Sequence, residues 1–224
     1  MKRWLFAATL FALGPAAHAA TLDAHDEETC AGAGVRILAV ESDDARDACA
    51  GVRMARAFFA AHGVTAVDPF VLQVTTDLPE QSSQSAAGSY LAGRHRVYML
   101  PYAAFRESKT WFDVAIDRDL YRSLAVHEAA HAIAASNFAV AHPTIQAMEY
   151  VAYVAMFDAM PVALRERALA ALPGTGFPGE ERITEVFYLF DPMRFGAEAY
   201  RHYRKPENGP RFLRRVLAGE ALAN

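Results

Sequence analysis

The stretch Leu124-Ala125-Val126-His127-Glu128-Ala129-Ala130-His131-Ala132-Ile133-Ala134-Ala135 is apolar except for His127, Glu128 and His131, every other residue being Ala, Leu, Val or Ile. With no Gly or Pro between Asp119 and Asn137, the composition predicts a helix over 119–137. Positions i and i+4 of a helix share a face, so both imidazoles reach one point while Glu128 sits beside them. This HExxH spacing suits an ion that takes nitrogen ligands at about 2.0–2.1 Å and keeps a position open for water. A surface helix would show a polar face around these groups, and this one has none. A buried carboxylate and two imidazoles without partners are costly, whereas a metal and its water give all of them something to bind. The blander alternative is a helical core in which His127 and His131 are satisfied by hydrogen bonds.

The next apolar segment, Ile145–Met160, follows Pro143 and is closed by Pro161, and it also reads as a helix. Between Ala147 and Phe157 its only acid is Glu149. A lone carboxylate on an apolar helix invites a cation. The connection from Asn137 through Ala141-His142-Pro143 is long enough for the second helix to return antiparallel to the first. Glu149 is the leading third ligand; His142, placed on a turn by Pro143, and Asp158 are its rivals.

On these residues the chain resembles the gluzincin zinc metallopeptidases, which carry HExxH on one helix and a Glu ligand on the next. The resemblance spans roughly Arg94 to Phe157. It implies a zincin-like fold, zinc bound by His127, His131 and Glu149, and Glu128 as the general base of a metal-assisted peptide hydrolysis. It also implies that the strand before the motif helix, here Arg94–Leu100, is an edge strand that runs along the cleft and can pair with an extended peptide. Tyr153 stands where some members carry an acid that supports a ligand His. The metzincin variant does not fit, since Ala134 and Asn137 replace its Gly and third ligand. A donor to the developing oxyanion is also needed, and Tyr153, Tyr200 and His202 are the candidates.

The rest of the chain frames this core. Ala45–His62 has apolar residues at helical spacing and ends at Gly63; Phe70–Thr75 and Arg94–Leu100 read as strands, and Glu80–Gly88 as a loop. Later segments, Val162–Leu172, Ile183–Phe190, Pro192–Tyr203 and Pro210–Leu217, read as helices, with a Pro/Gly-rich loop at Pro173–Gly179. Strands early and helices late, with no repeat or linker, predict an α+β fold: a small sheet packed on the motif helix, then a mainly helical C-terminal part, in a single domain over 20–224.

Residues 1–19 read as a secretory signal peptide. Lys2 and Arg3 precede the apolar run Trp4–Leu13, and Ala17-His18-Ala19 is a small-x-small cleavage signature. The run is too short to span a bilayer, and no span is expected after cleavage because Arg122, His127, Glu128, His131 and Glu149 interrupt the most apolar later window. A periplasmic or secreted location follows, and there Cys30 and Cys49 can pair as a disulfide.

The 224 residues are 53% hydrophobic with a net charge of −4, the profile of a globular protein without the basic excess of nucleic-acid binders. Residues 194–215 are locally basic, either a solvated face or a wall that receives an acidic or C-terminal carboxylate group of a substrate. The expected function is zinc-dependent hydrolysis of a peptide or protein substrate. The alternative is a non-catalytic zinc-binding scaffold or envelope interaction protein that retains the site.

Overall fold

Strand-forming side chains in the first half of the chain alternate between core and surface. In the computed structural model, which describes residues 28–30, 34–79 and 87–223, Phe70, Leu72 and Val74 are buried while Val71 and Gln73 between them are half-exposed. That alternation marks a sheet covered on one face. Its strands are β1 (Glu28–Cys30), β2 (Val35–Leu38), β3 (Phe70–Val74), β4 (Gly88–Leu91) and β5 (Arg96–Met99), in the order β1-β2-β3-β5-β4. The central strands β2, β3 and β5 run parallel, and β1 and β4 add antiparallel at the two edges. The signal-peptide segment 1–19 and residues 80–86 of the predicted loop lie outside the described residues.

The helices are α1 (Ser42–Ala61), α2 (Tyr102–Arg106), α3 (Arg118–Ala135), α4 (Ile145–Ala159), α5 (Val162–Ala171), α6 (Glu185–Phe190), α7 (Pro192–Tyr203) and α8 (Gly209–Leu217). A two-stranded hairpin, β6 (Thr110–Trp111) and β7 (Val114–Ala115), lies between α2 and α3. Helix α1 connects β2 to its parallel neighbour β3 and packs on α3, which contacts β4 and β5; α4 packs on α3, and α7 on α4. The α+β prediction thus holds, and the helices from α3 onward fall within a few residues of their predicted bounds.

One prediction is corrected. Arg94–Leu100 is not an edge strand. Residues Ala92–Arg94 form a 3-10 turn, and His95 adopts the left-handed conformation (φ 45°) that reverses the chain. Gly88–Leu91 is thereby brought back outside Arg96–Met99 and takes the edge, leaving β5 paired on both sides. Gly88, assigned to a loop from its polar neighbourhood, begins that edge strand.

Polar contacts fix how α1 meets α3. Asp44, only 3% exposed, accepts from the Arg118 guanidinium at 2.7 Å and from the backbone N–H of Tyr102 at 3.0 Å. Arg118 and Arg122 both donate to Asp47, each at 2.9 Å, and the Arg118 guanidinium lies 3.9 Å from the centroid of the Tyr102 ring. These pairs are charge-assisted, and because Asp44 and Asp47 are shielded while the arginines are partly exposed, loss of an arginine would strand a buried carboxylate. The Cys30–Cys49 disulfide is formed and ties β1 to α1. A bridge closing a loop of this length contributes about 3 kcal/mol. Among the described residues no helix is long and apolar enough to cross a membrane.

The α1–α3 crossing is close because Gly51 has no side chain. A Cβ there would lie 2.5 Å from Ala125 Cβ and 2.9 Å from Arg122 O, in the turn of α3 just before His127. Gly51→Ala should therefore destabilise the fold by about 1–3 kcal/mol, against the helix propensity that Ala normally improves. Chemical denaturation of the variant beside wild type measures it; equal or greater stability would show that the crossing tolerates a methyl group.

Candidate metal centre and cleft

Helix α3 starts from an Asp117 cap, whose side chain accepts from Leu120 N at 2.8 Å, and runs without interruption past the motif. At its far end Asn137 donates to Ile133 O and to Ala66 O, both at 2.7 Å, closing the helix and starting the turn towards α4. Thr144 caps α4 through Ala147 N, so Glu149 lies in the second turn of α4, facing α3.

The side chains of His127, His131 and Glu149 converge. The two Nε2 atoms are 3.2 Å apart, and the Glu149 oxygens Oε2 and Oε1 lie 3.5 Å from His127 Nε2 and His131 Nε2 respectively. One ligand atom from each residue falls within 4.8 Å of the others, a group that could hold a metal ion. Glu149, rather than His142 or Asp158, completes the set: His142 borders a separate hollow between the α3–α4 turn and the C-terminal residues, and the Asp158 carboxylate acts on Tyr200 and Tyr203.

The protein groups alone leave this cluster unsatisfied. Glu149 Oε2 and His127 Nδ1 are buried without a hydrogen-bond partner. Burial pushes the His131 imidazole down to about 4 and the Glu128 carboxyl up to about 7. It pushes His127 down too, but the neighbouring Glu149 carboxylate outweighs this and holds that ring above its ordinary value. Against its own burial, Glu149 is held below the usual carboxylate range by His131, His127 and a hydrogen bond from Tyr188. A divalent ion requires an ionised carboxylate and neutral imidazoles; Glu149 and His131 already favour those forms, and an ion would take the place of the proton that Glu149 draws onto His127.

A cavity of about 410 Å³ opens beside the cluster, lined by His127, Glu128, Tyr153 and Tyr188 and bounded by Gly88 of β4. Gly88 is needed there because a Cβ would lie 2.5 Å from Glu128 Oε1, so the edge strand passes directly against the carboxylate. The Tyr153 ring packs on His127, with centroids 4.4 Å apart, and orients the imidazole by that contact. Tyr188, in Glu185-Val-Phe-Tyr-Leu-Phe190, gives no sign of chemistry in the sequence, since it sits among apolar residues on a one-and-a-half-turn helix. Only the fold brings its side chain to Glu149.

The model of a family of unknown function, DUF6639, matches residues 35–224, and the chain belongs to that family. Neither the curated proteins nor the solved structures provide a match.

Tyr200 and His202 are not brought to the cleft. Tyr200 stacks on Phe157, with centroids 5.5 Å apart, and borders a different hollow with Arg165, Arg201, Arg204 and Lys205. The basic residues there hold backbone carbonyls: Arg201 donates to Leu169 O at 2.6 Å and Leu172 O at 2.7 Å at the end of α5, and Lys205 donates to Phe177 O at 2.7 Å in the loop that follows. No Lys or Arg is among the described residues that line the cleft, so the basic wall does not face the metal cluster.

His202 is 3% exposed, packs on Phe212 and lies 2.9 Å from the Tyr150 hydroxyl through Nδ1. Burial, with the nearby Lys205 charge, lowers its pKa from 6.5 to about 4, so the folded ring is neutral near pH 7 and resists taking up a second ring proton. The unfolded chain takes up this proton first as pH falls. The contribution of His202 to stability is thus whole above about pH 6.5 and declines towards pH 4. Melting temperatures measured across that range in chelator should fall less steeply for His202→Asn than for wild type; parallel curves would assign the acid sensitivity to other groups.

Proposed function

We propose that this member of the family is a zinc-dependent hydrolase of gluzincin-like design, a peptidase built on a zincin-like fold and acting in the periplasm or outside the cell. The observation that carries the reading is the convergence of His127, His131 and Glu149 at a cleft whose wall includes Glu128. The residues fit the ion. Two imidazole nitrogens and one carboxylate oxygen are a common catalytic zinc set, and the unpartnered Glu149 Oε2 gains a partner when a cation is present. The disulfide agrees with an oxidising compartment.

Bound zinc supplies a Lewis acid that polarises a carbonyl and acidifies a water molecule. The chain's own groups do the rest. Glu128 accepts a proton from the attacking water and returns it to the amine nitrogen as the amide C–N bond breaks. Tyr188, on the cleft wall, turns its hydroxyl hydrogen bond from Glu149 to the carbonyl oxygen as that oxygen gains charge, the task considered above for Tyr153, Tyr200 and His202. The edge strand β4 pairs only with β5 among the described residues, so an extended peptide can add to Gly88–Leu91 and pass beside Glu128.

Purified protein should contain close to one zinc per chain, and His127→Ala should lose it; correctly folded protein without zinc affinity would sink the proposal. Glu128→Gln should keep the metal while peptide turnover falls by about 10²–10⁴-fold, and Tyr188→Phe should lower kcat by about 10²-fold with little change in KM. The second reading, a zinc-binding scaffold, is favoured by His127 Nδ1, which lacks the second-sphere partner that metal-bound imidazoles usually have. It prevails if the zinc-loaded wild type cleaves nothing in a broad peptide library.

A further inference from the structure

The wall of the cleft near the α2–α3 connection is built from a hairpin whose backbone is strained. Lys109, Phe112 and Asp113, none of them glycine, have φ of 64°, 53° and 56°. A run of left-handed L-residues is disfavoured and persists where surrounding contacts impose it. Phe112 and Asp113 form the two-residue turn between β6 and β7, which requires positive φ at both positions. The anchor is Phe112: its side chain is fully buried, edge-on to Phe157 with centroids 5.0 Å apart, and its N–H donates to Met193 Sδ at 3.2 Å. With Phe112 committed to the core, its neighbour Trp111 lines the cleft and meets Phe105 edge-on at 5.6 Å.

Leu100, Phe105, Trp111, Leu124 and Met193 together give the cavity an apolar side that ends at His127 and Glu128. Among the described residues lining it there is no cation to hold a terminal carboxylate, and Glu128, the one acid, is committed to the water. Among these described residues neither end of a peptide finds a charged partner.

We infer that the cleft takes a large apolar side chain, aromatic or long aliphatic, adjacent to an internal peptide bond, with Trp111 on the β6–β7 hairpin as the specificity-determining residue. This rests on the peptidase reading, but binding tests it without turnover. The chain has two tryptophans, and Trp4 lies in the segment read as a cleaved signal peptide, so Trp111 is the only indole of the processed protein. Zinc-loaded processed protein carrying Glu128→Gln is titrated with end-blocked peptides that differ only in having Phe, Leu, Asp or Lys at one position. Affinity is read by calorimetry and the environment of Trp111 by its emission.

The Phe and Leu peptides should bind about tenfold or more tighter than the Asp and Lys peptides and shift Trp111 emission to the blue. Trp111→Ala, or Trp111→Leu if the smaller side chain impairs folding, should weaken the preference for Phe with zinc content unchanged. Ser108→Lys, an exposed change on the same wall, should raise affinity for the Asp peptide. Equal binding of all four peptides, no binding of any, a Phe preference that survives both Trp111 changes, or tighter binding when a terminus is unblocked would each overturn the inference. Cleavage by wild type without side-chain preference would overturn it and leave the peptidase reading standing; discrimination in binding without cleavage would do the reverse.

Discussion

Two imidazoles and a carboxylate meet between α3 and α4 at the edge of the cleft, and the rest of the molecule is arranged around that meeting. Their atoms sit 3.2–3.5 Å apart with Glu149 Oε2 unpartnered, an arrangement that a protein interior does not hold unless something else binds there or the surrounding packing is rigid. The packing supplies that rigidity from every side. Alanines on α3 let α1 and α4 come close, Gly51 brings the α1 backbone onto the turn before His127, and Tyr153 fills the space over the His127 ring. Polar locks stand at the margins: Asp44 and Asp47 hold the first turns of α3, and Asn137 holds its last. The cluster is positioned by backbone contact and small residues more than by its own hydrogen bonds.

That explains which parts could be read from the chain and which could not. His127, Glu128, His131 and Glu149 stand out because each is polar within an otherwise apolar helix, and helical periodicity translates directly into a shared face. The helices from α3 to α8 announce themselves by apolar runs free of internal breaks, and α5, α7 and α8 also by Pro at their starts. The sheet was less legible. Gly88-Ser-Tyr-Leu91 shows no alternation of its own and is a strand only because His95 folds it back on β5. Edge and centre cannot be told apart within a short apolar run, since the difference lies in what pairs with it from elsewhere.

The remaining site residues carry no local mark. Tyr188 and Trp111 lie in aromatic-rich segments where nothing distinguishes a cleft residue from a core residue, and Gly88 is one Gly among 13. Tyr200 and His202 have the residue types of proton donors and follow the metal helices, but α7 turns them towards α4, α8 and the Arg-bearing helix ends. Residue type predicts what a group can do; its partner is set by which helix face it occupies once tertiary packing is complete.

The Cys30–Cys49 bridge bears on how the sheet meets other chains. A parallel core of three strands has two open flanks, each a template for unwanted pairing with a neighbouring molecule. On one flank β1 shields β2, and because the bridge keeps β1 tethered to α1, a transient loss of its three paired residues is followed by reclosure at high effective concentration. Among the described residues its own outer rim spans only Glu28–Cys30. The opposite flank, β4, carries no such clamp among the described residues and runs beside Glu128. Covalent closure of one side therefore gives the sheet a polarity towards self-association: the tethered flank resists an added strand, and the β4 flank stays the more open of the two.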